Sequence, residues 1–329
     1  MQSIRIVLYG LFIGLLSILP FTGCNQDRQT RHERFLHGSE KRLIVTNPDA
    51  LEVLFGLGAS KSIVGISDTP KSFIEKSNNW AVIGNWRTPN IEAIVNMNPN
   101  IIVAYKKWPD PASFDDKLRN FKISVERMDC FRISEYHSDI YRLASLVGKE
   151  KEADMMINDF DKIIDIIENA VTDIGIQVRV YFEFTDFTAM GPETGGDEIL
   201  EIVNAKNIAS HLKVPYPKIS TEWLLEENPD VIIKSITVDS VTVDMYEALL
   251  SRPGWDKLDA VKNRRVYLIS SELCSSPRAM IGSLYVGKWC YPEKFALVNP
   301  DSVHSYWLKK YCGNASGNKY ILHPKSDLI

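Results

Sequence analysis

Glu92-Ala93-Ile94-Val95-Asn96-Met97-Asn98-Pro99-Asn100-Ile101-Ile102-Val103 lines up without a gap on Glu222-Trp223-Leu224-Leu225-Glu226-Glu227-Asn228-Pro229-Asp230-Val231-Ile232-Ile233. Each copy starts at a glutamate, runs through a short apolar helix and stops at Asn-Pro, because proline cannot continue a helix. Each then enters three β-branched residues in a row, the pattern of a strand buried on both faces of a parallel sheet. A shorter echo relates Asp49-Ala-Leu-Glu-Val-Leu-Phe to Asp197-Glu-Ile-Leu-Glu-Ile-Val, upstream of the larger match in both halves. The shared order predicts two pseudo-equivalent lobes.

Outward from the first copy, Leu43-Ile44-Val45 forms a strand and Asn47-Pro48-Asp49 a turn and helix start. Leu51, Val53, Leu54 and Leu57 then give the apolar face of a helix closed by Gly58. Ile63 to Ile66 is a further strand, and Asn90 to Met97 a further helix. The second half repeats the plan with a strand at Val178 to Phe182 and helices around Glu198 to Val203 and Glu222 to Glu227. Strands at Val231 to Ile233 and Val266 to Ile269 complete it. Between the halves, Ala153, Met156, Ile157, Phe160, Ile163, Ile164, Ile167 and Val171 fall on one helical face of the segment Gly148 to Thr172. At about 1.5 Å per residue that helix is roughly 35 Å long, the height of a lobe. The expected fold is α/β: two Rossmann-like lobes with parallel sheets, joined by a single long backbone helix, with a ligand cleft between the lobes. The corresponding boundaries are 41–147 for the N-terminal lobe, 148–174 for the connecting helix, 175–297 for the C-terminal lobe and 298–329 for a tail without an assigned role.

Of the 329 residues, 45% are hydrophobic and 24% charged, a composition that supports two cores. A net charge of -4 provides no basic field, so nucleic acid is not an expected partner. Arg5, the apolar run Ile6 to Phe21 and then Thr22-Gly23-Cys24 have the layout of a signal peptide, residues 1–23. The small pair before Cys24 resembles a lipobox, which would make Cys24 the lipidated N-terminus and residues 24–40 a polar tether; an uncleaved membrane anchor is the alternative. Both place the bulk of the chain outside the cytoplasm. Cys130, Cys274, Cys290 and Cys312 show no C-x-x-C spacing, which speaks against structural zinc and thioredoxin-like redox sites. A Cys290–Cys312 disulfide and buried free thiols both stay open. No G-x-S-x-G, H-E-x-x-H or dinucleotide fingerprint is present, so the chain is not expected to be an enzyme. Gly191-Pro-Glu-Thr-Gly-Gly196 lacks the lysine of a P-loop and is expected as a loop at the cleft mouth. His32 and His37 fall in the tether and His323 in the tail. His137, His211 and His304 stand in no metal-site motif, so no metal site is expected and any metal should arrive already chelated.

Several fragments follow one another in order: Leu51-Glu-Val-Leu-Phe-Gly-Leu-Gly-Ala59, Gly84-Asn85-Trp86, Asn90-Ile91-Glu92, Asn98-Pro-Asn-Ile-Ile-Val103, Tyr216-Pro-Lys-Ile-Ser-Thr-Glu222, Asn228-Pro-Asp-Val-Ile-Ile233, Trp255-Asp-Lys-Leu-Asp-Ala-Val-Lys-Asn-Arg-Arg-Val-Tyr267 and Ser276-Pro277-Arg278. From Leu43 to about Phe295 the chain thereby resembles the helical-backbone class of periplasmic binding proteins, which serve ABC importers of iron-siderophore complexes, haem, cobalamin and some free metals. The resemblance implies a lipid-anchored extracytoplasmic binding protein with no cofactor of its own. It implies an ABC permease dimer with its ATPase subunits as partner, and an iron complex, siderophore or haem, as ligand. A cobalamin or corrinoid ligand is the alternative, and a surface chelate-binding lipoprotein independent of any ABC partner is a reading of another class. Glu92 and Glu222 match the outer-surface glutamates that meet permease arginines in the family. The family's cleft loops map onto Trp86, Arg87, Tyr105 to Trp108, Phe184 to Phe187, Tyr216 and Ser276 to Arg278, where aromatic faces suit bulky chelates and Arg87 and Arg278 suit carboxylates. Lys106, Lys107 and Lys234 would add positive charge at the rim. Trp86 and Tyr216 match corrin-contacting positions, while Lys288-Trp-Cys-Tyr-Pro-Glu293 resembles an ending found in iron-complex receptors.

Overall fold

A computed structural model of the protein describes residues 41–68, 79–237, 241–313 and 319–322. The signal peptide, Cys24 and the tether lie outside the described residues, as do His32, His37 and His323.

In the first half, β1 (Leu43–Val45), β2 (Ile63–Ile66), β3 (Ala81–Val82), β4 (Ile101–Ala104) and β5 (Ser124–Arg127) form an all-parallel sheet in the order β3-β2-β1-β4-β5. Alternate residues of its central strands serve two apolar layers, as the two-residue repeat of a strand requires. Leu43, Val45, Ile101 and Val103 pack with α1 (Pro48–Gly56) and with α4 (Tyr136–Val147). Ile44 and Ile102 pack with α2 (Ile91–Asn96) and α3 (Pro111–Arg119). The 22-residue helix α5 (Glu150–Val171) follows, about 33 Å long at 1.5 Å per residue. Seven of the eight apolar residues on its expected face are buried, and Ile164 is partly so. Gly148 does not belong to this helix: its left-handed φ of 66° closes α4.

The second half contains β6 (Arg179–Thr185), β7 (Thr188–Ala189), α6 (Gly195–Ile202), β8 (Lys206–Asn207), α7 (Thr221–Glu227), β9 (Val231–Ile236), α8 (Val243–Leu250), α9 (Asp259–Lys262), β10 (Val266–Ser270), α10 (Ala279–Cys290), α11 (Pro300–Tyr311) and β11 (Ile321–Leu322). The run β8-β6-β9-β10 is parallel and repeats the strand order β2-β1-β4-β5 of the first lobe, with β7 and β11 added antiparallel. The quoted repeat thus occupies matching places: α2 leads into β4 as α7 leads into β9. Asn98 and Asn228 end the two helices in the left-handed region, at φ 48° and 39°, and Pro99 and Pro229 are buried behind them. Asparagine tolerates that conformation better than most residues, which explains its recurrence before the proline.

One apolar core runs from the α1 and α4 side of the first sheet along α5 to Val180, Phe182, Val231 and Ile233 of the second. Within it α10 is buried on nearly every side, and a Cβ on Gly282 would lie 1.6 Å from the Leu273 carbonyl oxygen. The chain after Phe295 folds into this body. Tyr306, Lys310 and Tyr311 of α11 all reach Asp159 of α5, at 3.0, 2.5 and 3.0 Å, while β11 pairs with β10.

Two sequence expectations change here. Cys130, Cys274, Cys290 and Cys312 are all buried thiols, so the Cys290–Cys312 pairing gives way to the thiol alternative. Gly191 to Thr194 form the expected loop, but Gly195 and Gly196 already open α6, which Thr194 caps, and added Cβ atoms at Gly191, Gly195 and Gly196 would meet neighbours at 2.3, 2.6 and 2.2 Å. These glycines serve close packing.

Candidate ligand cleft and docking surface

Parallel sheets leave their functional loops at the carboxyl ends of the strands. In the first lobe the turn after β3 is set by Gly84, whose φ of 91° disfavours a side chain, and by Asn85, whose Oδ1 accepts from the Arg87 amide at 2.9 Å. This turn presents Trp86 and Arg87. Tyr105, immediately after β4, meets the Trp86 ring edge-on at 5.2 Å, and Phe131 lies 6.3 Å beyond Tyr105. The Arg87 guanidinium sits over the rings of both Trp86 and Trp108, at 4.6 and 5.6 Å. The Tyr105 hydroxyl donates to Asp49 Oδ2 at 2.6 Å, and burial together with that carboxylate pushes its pKa well up, so it stays a neutral donor.

In the second lobe Phe184 and Tyr216 pack ring against ring at 5.1 Å, with Tyr216 half exposed. The lobes are tied beside Phe131: Arg132 reaches Glu198 at 2.8 Å and the Glu193 carbonyl at 2.6 Å, and the Ile133 amide and Ser134 hydroxyl also donate to Glu198. The structure therefore gathers Trp86, Arg87 and Tyr105 in one cluster and Phe184 with Tyr216 in another. Trp108, the end of the expected Tyr105 to Trp108 loop, joins the first cluster; sequence reasoning missed Phe131 as its further member.

Arg278 belongs to neither. It is fully buried, and its guanidinium donates to Glu52 at 2.9 Å, to Glu272 at 2.6 Å and to His304 Nε2 at 3.2 Å. A guanidinium without exposed surface, bound to two carboxylates, cannot greet a ligand; it joins α1 of the first lobe to the second lobe and to α11. Burial alone would lower its pKa, but Glu52 and Glu272 outweigh that and raise it well above the usual value. Lys234 is likewise no free rim cation, since it is buried against Glu183 at 2.7 Å and Asp186 at 3.0 Å. Lys106 pairs with Glu135. The Lys288 to Glu293 motif is structural too. Trp289 stacks on Tyr267 at 4.5 Å, Tyr291 hydrogen-bonds Asn204 and Val178, and Lys288 donates to the Val298 carbonyl at 2.6 Å.

Glu92 and Glu222 are both exposed, each the second residue of its helix, behind the side-chain caps Asn90 and Ser220. Hydrogen bonding to its own backbone amide and to Ser220 keeps the Glu222 carboxyl below its ordinary pKa.

A two-lobed α/β chain with one connecting helix and aromatic loops at the strand ends is a solute-binding protein of the helix-linked type. The chain belongs to the periplasmic binding protein family, whose model matches residues 43–273. It is similar to the uncharacterized ABC transporter substrate-binding lipoprotein YvrC of Bacillus subtilis, 26% identical over 265 residues that cover 78% of this chain and 81% of the relative. Among solved structures it matches the TroA-like periplasmic binding protein FepB from Veillonella parvula, with TM-score 0.75, 19% identity and coverage of 87% and 95% of the two chains. It also matches the molybdate-bound MolA of Haemophilus influenzae, with TM-score 0.72, 20% identity and coverage of 84% and 94%. The protein is thus an extracytoplasmic ABC transporter substrate-binding protein rather than an enzyme, and such proteins work with permease and ATPase components. Among the described residues no helix is long and apolar enough to cross a membrane.

Proposed function

We propose that the cargo is an anionic iron complex, a siderophore or haem, gripped by Trp86, Arg87 and Tyr105 from one lobe and by Phe184 and Tyr216 from the other. The observation that carries this reading is Arg87: its guanidinium rests on two indole faces, and no described carboxylate pairs with it. Stacking leaves its in-plane N–H donors directed outward, which suits a ligand that offers an aromatic surface beside carboxylate or phenolate oxygens. A corrinoid, whose broad macrocycle can lie against aromatic rings, is the second reading, favoured by the half-exposed Tyr216 and Trp108 rings. In this proposal residues 41–147 and 175–297 are the lobes on either side of the connecting segment 148–174. Glu92 and Glu222 dock one lobe each onto the permease, and residues 1–23 are removed so that Cys24 carries the lipid.

Tryptophan fluorescence of the purified protein titrated with haem, ferric siderophores, cobalamins and molybdate tests the cargo. Binding of an iron complex at micromolar concentration or below, weakened at least tenfold by Trp86→Ala and by Arg87→Ala, is the expected result. Selective binding of cobalamin or of molybdate would replace the iron reading.

A further inference from the structure

The turn from β6 to β7 carries a charge cluster that the proposed ligand contacts do not use. Glu183, with no exposed surface, accepts from Lys234 at 2.7 Å, from Arg252 at 3.0 and 2.9 Å and from the Tyr181 hydroxyl at 2.9 Å. The side chains of Lys234 and Arg252 are only 10% and 14% exposed. Two nearly buried cations on one buried carboxylate leave a surplus positive charge that water reaches poorly, an arrangement costly unless another anion closes it. Asp186 closes it, with Oδ1 3.0 Å from Lys234 Nζ and 2.6 Å from Arg252 Nη2. Yet the Asp186 side chain is 78% exposed, on a two-residue turn whose other member, Phe187, holds a left-handed φ of 53°. Lys218 adds a third cation, its ammonium bonded to the Asp186 carbonyl at 3.1 Å.

Position matters as much as charge. Glu183 and Lys234 are register partners near the carboxyl ends of β6 and β9, and the end of β6 also carries Phe184, against which Tyr216 packs. Arg252 is braced against the rings of Phe187 and Trp255, at 4.6 and 4.8 Å, so the cation pair is pre-organised. Exchanging one oxyanion for another there keeps the cation pair compensated, so the exchange itself costs little.

We propose that Lys234 and Arg252 form an oxyanion subsite of the second lobe, occupied by the Asp186 carboxylate in the free protein and taken over by a carboxylate or catecholate group of the cargo. Asp186 then acts as a resident competitor that excludes small anions and yields only to a ligand anchored elsewhere by its aromatic contacts. The cargo part rests on the cleft reading given above; the subsite itself does not.

Thermal unfolding with inorganic phosphate, against potassium chloride at matched ionic strength, tests the subsite without any chelate. Asp186→Asn, a change at an exposed side chain, should bind phosphate roughly three to ten times more tightly than the wild type, with the melting point rising accordingly. Adding Arg252→Gln should abolish the gain; if that double variant does not fold, Lys234→Gln in the Asp186→Asn background serves instead. No phosphate response in Asp186→Asn, or one that survives the second substitution, overturns the proposal. Ferric tricatecholate and uncharged ferric trihydroxamate then test the cargo: Asp186→Asn should tighten the former by a similar factor and leave the latter unchanged. Equal effects on both would refute the takeover. Failure of the wild type to bind either complex would sink the siderophore form of the iron reading and leave the phosphate result to decide the subsite.

Discussion

Arg278 offers the sharpest test of how the two lobes are held together. Arg278→Met keeps volume and apolar stem but removes a guanidinium that is wholly buried against Glu52 and Glu272, at 2.9 and 2.6 Å. Glu52 is itself only 3% exposed. Removing one partner of a buried pair leaves the other charge uncompensated, at a cost of about 3–5 kcal/mol. In a chain of this size each kcal/mol lowers the melting point by about 2 °C, so a fall of roughly 6–10 °C is expected. Urea denaturation followed by circular dichroism and by fluorescence measures the loss and checks that unfolding is two-state. Adding Glu52→Gln should restore part of the stability, because a neutral pair suffers less from burial than a lone carboxylate. The folded fraction of Arg278→Met should bind cargo as the wild type does. An unchanged melting point together with lost binding would refute the reasoning and return Arg278 to the ligand site.

Acid should loosen the protein in two windows. Burial, then Arg278, lower His304 from 6.5 to about 3, so the unfolded state takes the proton first and stability falls as pH drops from 6.5 toward 3, by up to about 1.4 kcal/mol per unit. His304→Gln should flatten that slope in an acid titration of the unfolding free energy; an unchanged slope would show that another group titrates. Burial works to raise the Asp159 pKa, but bonds from Lys310, Lys162, Tyr311 and Tyr306 outweigh it and bring it from 3.8 to about 2. Its contribution is therefore complete above 3.8 and lost as pH falls through about 2, and Asp159→Asn should show no such loss there. Gly282→Ala should destabilise by about 3 kcal/mol or more, since its Cβ would meet backbone at 1.6 Å, whereas Gly175→Ala, with nothing within 4 Å, should be neutral in the same melt. Glu92→Lys and Glu222→Lys should leave cargo affinity and melting point unchanged while abolishing most reconstituted transport; full transport by either variant would rule out docking through that residue.

Much of the fold was legible because its signals are periodic and local. The apolar stripe from Ala153 to Val171, the Asn-Pro stops and the β-branched runs each follow from one element burying one face, and all became the expected helix, turns and strands. The candidate site was legible in part. Trp86, Arg87, Tyr105 and Trp108 do meet, but Phe131 joins them from a loop whose spacing carries no periodicity.

From the sequence alone came the duplication, the two parallel sheets and the single connecting helix, because hydrophobic period and helix stops are properties of neighbouring residues. Pairing across long separations was decided only by the tertiary structure. Arg278 finds Glu52, 226 residues away, and the tail after Phe295 finds Asp159 about 150 residues away. In sequence a cation in a family motif is the same letter whether it faces a ligand or a buried carboxylate. Desolvation separates the two cases, and it exists only once the chain has folded around the charge.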